Sequence, residues 1–241
     1  MNMKTGLRLS SDIGGTFTDT VLIDATFRVL ASAKTPTTPL HPALGAVDGA
    51  RRVLDEAGKD WSGVQGFVHG TTLATNALIE KRGACVATVT TEGFRDILEI
   101  AYERRYNQYE INLEKPDLIV PRARAFTVAG RMSAQGREIV PLDEGAVPRL
   151  ASELRASGVN AVAICLLHAY ANNSHELRLR ELLLRELPDL TVSVSHEVSP
   201  EAREFDRLCT TIANAFIQPL MSRYLIDLRV RLEAEGLCCP I

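Results

Sequence analysis

The chain has 241 residues, of which 46% are hydrophobic and 24% charged, the mix of a folded globular protein with a substantial core. Its 27 basic and 30 acidic side chains leave a formal net charge of −3, without the overall basic charge of a typical nucleic-acid binder. The longest apolar runs, such as residues 159–167, fall well short of the roughly 20 residues of a membrane-spanning helix, and residues 1–10 hold no apolar block of a secretory signal, so neither a nucleic-acid nor a membrane partner is expected.

In chain order, residues 7–13 read as a strand that ends on Gly14 and Gly15. Residues 16–23, rich in Thr, Val and Ile, read as a second strand, and residues 27–33 as a third after a turn at Asp24 and Ala25. Three β-type runs joined by tight turns predict an antiparallel meander. Pro42 suits the first turn of a helix over 43–57, which Gly58 stops. A strand over 64–69 then turns through Gly70, Thr71 and Thr72 into a helix with Leu73, Ala77 and Leu78 on one face, and Gly83 is placed to end it. A strand over 86–90 and a short helix over 92–98 follow; residues 101–124 show no period.

Residues 126–140 read as strand, turn at Gln135 and Gly136, strand. A helix from 142 to 157 closes at Gly158, residues 161–167 form a buried strand, 174–187 an amphipathic helix, and 190–195 a strand. This alternation predicts parallel α/β packing. Residues 201–217 and 220–235 are helical, with Pro219 as a kink or break between them. Residues 237–241 begin an apolar stretch like the start of a strand, and the chain is expected to be a fragment of something longer or a truncated product.

The five cysteines, Cys85, Cys165, Cys209, Cys238 and Cys239, are irregularly spaced and form no Cys-x-x-Cys pair. Neither a zinc site nor a disulfide framework is signalled, and a cytoplasmic location is the default. Cys85 and Cys165 read as small core residues, and Cys238 and Cys239 as inert. His168 and His175 lack the spacing of a helical metal pair.

The strongest chemical signal is the run Asp12, Ile13, Gly14, Gly15, Thr16, Phe17, Thr18, Asp19. A strand delivers Asp12 to its end, the glycines let backbone approach an anion without a Cβ in the way, and successive N–H groups in such a turn can form a concave anion site. Thr16 and Thr18 add hydroxyls. A carboxylate beside a phosphate acts through Mg²⁺ or its waters. The competing reading is a Gly-Gly hairpin with Asp as a turn residue.

A second signal runs from His69 to Leu78. His69 lies at a strand end, and Thr71 or Thr72 can cap a helix whose free N–H groups face a ligand. The bland alternative is that the threonines merely cap and His69 is a satisfied core group. A third cluster, Arg95, Arg104 and Arg105 among Tyr102, Tyr106 and Tyr109, is best read as a solvated or subunit-contacting face. Glu201, Arg203, Glu204 and Asp206 likewise read as an exposed helix face.

At residues 12–19, 69–78, 89–96, 165–170 and 195–204 the chain resembles the hydantoinase/oxoprolinase family, which includes ATP-dependent 5-oxoprolinase, N-methylhydantoinase and acetone carboxylase-type subunits. The likeness runs in order over nearly the whole chain. It implies the N-terminal half of an actin-like (ribonuclease H-like) ATPase, α/β with a mixed sheet and flanking helices. Residues 5–195 would be the family's N-terminal domain and 196–241 the opening helices of the hydantoinase A domain. No second Gly-Gly-Thr run occurs, so the second half of the nucleotide cleft is expected to lie outside this sequence.

The resemblance implies ATP and Mg²⁺ as cofactors. Asp12 would organise the metal, Gly14, Gly15, Thr16 and Thr18 would hold phosphates, and His69, Thr71 and Thr72 would face the same cleft, with Asp12 and His69 as the catalytic pair. The implied substrate is a small cyclic amide, imide or ketone, with phosphorylation of a lactam oxygen making the carbon open to water. A second hydantoinase B-type subunit and an oligomer are implied as partners. The alternatives are a ketone carboxylase subunit, a small-molecule kinase of the same fold, or a domain inactive without its other half.

Overall fold

The computed structural model describes residues 6–38, 41–102, 109, 111–112 and 117–241. They fall into two compact units, Met1–Glu80 with Leu220–Ile241, and Lys81–Pro219. This division by contacts differs from the expected regions 5–195 and 196–241, which concern ancestry.

The first unit opens with β1 (Leu7–Ile13), β2 (Phe17–Ile23) and β3 (Val29–Pro36), followed by α1 (Pro42–Ala57), β4 (Val64–Thr71) and α2 (Leu73–Ile79). Its sheet has the order β3-β2-β1-β4. The meander is antiparallel as predicted, and β4 adds parallel to β1. In β1 the two-residue period of a strand turns Leu9, Ser11 and Ile13 inward and leaves Asp12 exposed. Helix α1 lies close on the sheet because the residues it turns toward it are small: a Cβ on Gly49 would sit 2.4 Å from Thr20 Oγ1. Gly58, at φ +60°, ends α1 in the left-handed region. Leu9, Ile13, Leu22, Val53, Leu54 and Phe67 form the core.

The second unit holds β5 (Val86–Thr91), α3 (Ile97–Ile100), β6 (Ala125–Val128), β7 (Arg131–Met132), β8 (Glu138–Val140), α4 (Val147–Ala156), β9 (Ala161–Cys165), α5 (Ser174–Glu186), β10 (Thr191–Val194) and α6 (Ser195–Val198). Its sheet, β10-β9-β5-β6, is parallel throughout. Every residue of β5 and β9 is buried, as a parallel strand covered on both faces requires. Helices α4 and α5 supply Leu150, Leu154, Leu179 and Leu183 to its core. The chain lays down β5, places β6 on one side, then crosses to β9 and β10 on the other. Connections therefore leave in opposite directions from the boundary between β5 and β9. A final helix, α7 (Glu204–Ala234), contributes residues up to Pro219 to this unit and from Leu220 onward to the first.

The class is α/β with mixed pairing, as expected, but several elements differ from the sequence reading. The helix over 92–98 shrinks to Ile97–Ile100, because Gly93 at φ +88° makes a turn closed by Phe94 N–H on the Thr91 carbonyl at 3.0 Å. Residues 126–140 are not one hairpin: β6 joins the parallel sheet, and only β7 and β8 pair with each other across Gly136 at φ +75°. A single 3-10 turn, Glu144–Ala146, precedes α4, which starts at Val147 with Pro148 in its first turn. Pro219 does not break α7. Ile212 and Phe216 before it and Tyr224, Leu228 and Leu232 after it are buried, each in its own unit, and that packing outweighs the lost hydrogen bond.

Candidate functional site

The first unit gathers the expected phosphate-loop residues at the carboxyl end of β1. The β1–β2 turn is closed by Gly14 N–H on the Phe17 carbonyl at 2.9 Å, and a Cβ on Gly14 would lie 3.0 Å from that oxygen. Glycine is needed there for close approach rather than for a left-handed backbone. Thr37 staples the loop from β3's end: its N–H donates to the Thr16 carbonyl at 2.9 Å and its hydroxyl to the Gly14 carbonyl at 2.9 Å. Among the described residues no acceptor receives the N–H of Gly15 or Thr16, and both residues are exposed.

Asp12 stands beside this turn. Its cross-strand partner is Asp19, and like charges directly opposite repel. Lys34 offsets that by pairing with Asp19 at 2.7 Å, while Asp12 has no ion pair among the described residues. In the parallel pairing Asp12 faces Gly70, and a Cβ there would come within 3.1 Å of Asp12 Oδ1; the glycine leaves room for the carboxylate. From the other side Asn76 approaches Gly15, its Nδ2 lying 3.4 Å from where a Cβ would stand. Thr72 N–H donates to the Ile13 carbonyl at 3.1 Å, tying the start of α2 to the end of β1. The structure thus brings Asp12, Gly14, Gly15, Thr16, Gly70, Thr72 and Asn76 to one sheet edge.

Thr18 and His69 reach that edge on its other face. Thr18 is fully buried, with its hydroxyl 3.2 Å from that of Thr37 and against Gly45 of α1. It fastens the strand to the helix and does not reach the exposed face, so it is corrected from phosphate ligand to core residue. His69 pairs in register with Ser11, on the buried side of the sheet. Its Nδ1 lies 3.1 Å from the Ser11 carbonyl, so the ring donates there, and Tyr224 Oη donates to Nε2 at 2.5 Å. Both ring nitrogens are committed. Burial lowers the His69 pKa, against smaller opposing effects of the Ser11 carbonyl and the Asp12 charge. The imidazole is a neutral connector. Thr71 Oγ1 accepts the Leu73 N–H at 3.1 Å and so opens the short helix α2, whereas Thr72 makes its side-chain contact with Asn76, at 3.4 Å.

In the second unit, Arg95 donates Nε to the Ala125 carbonyl at 2.8 Å, which makes it a loop staple. Arg104, Arg105 and Tyr106 lie outside the described residues. The charged patch around Glu204 is not simply a solvated face: Tyr102 donates to Asp206, and the next residue, Arg207, is 1% exposed. Arg207 donates Nε to Ser195 Oγ at 3.0 Å, Nη1 to the Glu201 carbonyl at 2.6 Å and Nη2 to the Leu166 carbonyl at 2.9 Å. Ser195 in turn donates to Glu176 at 2.6 Å; that fully buried carboxylate also receives the N–H of Leu166 and of His196 and sits 2.7 Å from His196 Nδ1. The sequence reading missed this hub. One signal was available: Glu176 falls three and seven residues before Leu179 and Leu183, on the apolar stripe of α5. Cys165 is buried as expected, and desolvation pushes its thiol up to about 11. Cys85 is only half-buried, with Arg124 Nη1 2.6 Å from its sulfur.

The hydantoinase/oxoprolinase N-terminal region matches residues 8–187. The chain belongs to the hydantoinase/oxoprolinase family. Among curated relatives of this family member, the caprolactamase alpha subunit of Pseudomonas jessenii is 36% identical over 239 residues, covering 97% of this chain and 34% of that protein. The 5-oxoprolinase of Saccharomyces cerevisiae is 29% identical over 264 residues, covering 92% of the chain and 20% of that protein. The crystal structure of the ATP-dependent caprolactamase from Pseudomonas jessenii superposes with a TM-score of 0.86 at 35% identity, over 97% of this chain and 34% of that one. Nucleotide-free acetone carboxylase does so at 0.85 with 24% identity, over 96% and 35%, which speaks to the fold alone. These neighbours share the α/β actin-like architecture. The chain spans about a third of the length of the first curated relatives it matches. Among the described residues no helix is long and apolar enough to cross a membrane.

Proposed function

We propose that this chain is the phosphate-binding N-terminal part of a cytoplasmic ATP-dependent enzyme that opens a cyclic amide or imide. The observation that carries the reading is the exposed edge where Asp12, without an ion pair among the described residues, adjoins the N–H groups of Gly15 and Thr16. The names of the relatives, caprolactamase and 5-oxoprolinase, support the substrate class. Because caprolactamase alpha and acetophenone carboxylase gamma are named as subunits, a second subunit of hydantoinase B type is part of the proposal. So is the assignment of 5–195 and 196–241 to successive family regions.

The residues present suit a magnesium-bound triphosphate. Gly15 and Thr16 are exposed and their N–H groups have no acceptor among the described residues, the glycines add no bulk, and a carboxylate without an ion pair among the described residues stands beside them. Bound there, ATP with Mg²⁺ supplies the phosphoryl group that turns a poor amide electrophile into a reactive one. Gly15 and Thr16 would hold phosphate oxygens through their backbone N–H, and Thr16 through its hydroxyl, and so stabilise charge on a transferring phosphoryl group. Asp12 would hold the cation, directly or through its waters. Gly70 keeps the carboxylate's space open, and Thr72 with Asn76 forms the opposite rim. Thr71 opens α2, and His69 is a positioning residue that ties β1 and β4 to Tyr224.

The test is ATP-coupled ring opening by the longer protein with its partner subunit, using caprolactam, 5-oxoproline and hydantoin. Ring-opened acid with ADP and phosphate is the expected product set. A stable phosphorylated product identifies a kinase instead, and a carboxylated ketone identifies a carboxylase. Asp12→Ala is expected to lower kcat at least 100-fold with an unchanged thermal unfolding curve; near-normal turnover would reduce Asp12 to a turn residue.

A further inference from the structure

The free Gly15 N–H has a set direction, and a residue outside the β1–β2 turn sets it. Thr37, half-buried just past β3, holds its hydroxyl 2.9 Å from the Gly14 carbonyl and 3.2 Å from the Thr18 hydroxyl. A carbonyl only accepts, so the single hydroxyl proton of Thr37 goes to Gly14, and Thr18 is the donor to Thr37. Gly45 of α1 leaves room for this pair: a Cβ there would stand 3.3 Å from Thr18 Oγ1. The Thr37 N–H, on the Thr16 carbonyl at 2.9 Å, holds the peptide after Thr16 as well. Thr37 thus fixes the peptides on both sides of the Gly15–Thr16 bond.

Covalent geometry converts this hold into a direction. Among the described residues no peptide bond is cis, and in a trans peptide the C=O and the following N–H point opposite ways. The Gly14 carbonyl points to the hydroxyl of Thr37, which meets the fully buried Thr18 on the face of the sheet that α1 covers. The Gly15 N–H therefore points away from that face, to the side on which Asp12 is exposed.

Two adjacent glycines make that direction easy to lose. Turning over the peptide between them changes only ψ of Gly14 and φ of Gly15 and meets no Cβ on either residue. As held, neither glycine has a positive φ. The turned peptide carries Gly15 to positive φ, a conformation open to glycine and resisted by any residue with a Cβ. It also presents the Gly14 carbonyl oxygen where the N–H had been, and that oxygen repels an anion. We propose that Thr37 is a positioning residue for phosphate: its hydroxyl locks the Gly14–Gly15 peptide with the N–H toward the Asp12 face, and only the locked state takes the anion. A binding-competent state that is only partly populated lowers apparent affinity by its fraction. The inference rests on the reading of the Asp12–Thr16 edge as phosphate-binding and adds the residue that keeps it competent.

The test is an NMR titration of the chain with magnesium-ATP, comparing wild type with Thr37→Val, which keeps the shape and loses the hydroxyl, and Thr37→Ser, which keeps the hydroxyl. Thr37→Val should raise Kd about fivefold, the equivalent of one net hydrogen bond, and Thr37→Ser should stay within about twofold. Before nucleotide is added, the Gly15 amide resonance should move or broaden in Thr37→Val and hold its place in Thr37→Ser. Gly15→Ala supplies the second arm. Its methyl meets Asn76 Nδ2 at 3.4 Å and resists the turned peptide, so in the Gly15→Ala background Thr37→Val should weaken binding less than about twofold, a non-additive pair. Equal affinity in wild type and Thr37→Val, Thr37→Ser as weak as Thr37→Val, or the same loss with and without Gly15→Ala would overturn the lock and leave the phosphate edge standing. Absence of saturable shifts at Gly15 and Thr16 in the wild-type chain would overturn the phosphate edge, and the lock with it.

Discussion

A methyl group on residue 70 would stand 3.1 Å from Asp12 Oδ1, close enough to push the carboxylate by a few tenths of an ångström. Gly70→Ala is therefore expected to weaken magnesium-ATP binding several-fold while the chain stays folded, checked by calorimetry beside a thermal melt. Asp12→Ala should remove that binding. Because Asp12 is exposed and makes no ion pair among the described residues, its loss should change stability by no more than about 0.5 kcal/mol. Thr16→Val should be milder, since the neighbouring N–H groups remain. At this scale the placing of Asp12, Gly14, Gly15 and Thr16 at one strand end and turn was legible, because strand end, glycines and hydroxyl lie within one short run. Thr18 was not, because the motif was read as continuing past Phe17, where β2 begins and alternate side chains turn inward. His69 was legible as a strand-end residue but not as to face, since its register with Ser11 depends on pairing between distant segments.

The elements of the first unit depend on that pairing too. His69 links β1 to Tyr224 as a neutral ring, and burial holds its pKa below the ordinary 6.5. The unfolded chain then binds the proton more readily than the folded one. Stability is full above about pH 6.5, falls as pH drops through that value toward the lower folded pKa, and levels off below it. His69→Gln should flatten this part of the stability–pH curve, measured by urea unfolding at several pH values; an unchanged curve would show that another group titrates. Under α1, Gly49→Ala gains about 1 kcal/mol of helix propensity, but the new methyl meets Thr20 Oγ1 at 2.4 Å, and overpacking costs about 1–3 kcal/mol. A net loss of up to about 2 kcal/mol is expected by thermal melt. In the second unit, Glu176→Ala leaves Arg207 buried without its bridged counter-charge and should cost about 3–5 kcal/mol. Strands and helices with a clean period were readable in the sequence: Gly58 and Gly158 mark helix ends as expected. The misread stretches are those where a few residues change role quickly, as at Gly93 and between β6 and β7, where Gly130 takes φ +148°, or where packing overrides a breaker, as at Pro219.

For the whole molecule, the α/β class and the family were readable because several motifs recur in order over the chain. The division into two compact units was not, since α7 gives its two ends to different cores and no local pattern announces that. The relatives are about three times as long as this chain, so one phosphate-binding edge is expected to bind ATP more weakly than the micromolar level, which corresponds to about −8 kcal/mol. Weak binding still leaves a local trace. The most direct test is a heteronuclear NMR titration of the chain with magnesium-ATP, with Asp12→Ala in parallel. Shifts centred on Gly14, Gly15, Thr16 and the start of α2, and lost in Asp12→Ala, are the predicted result; shifts that are absent, centred elsewhere, or indifferent to Asp12 would contradict the phosphate-site assignment.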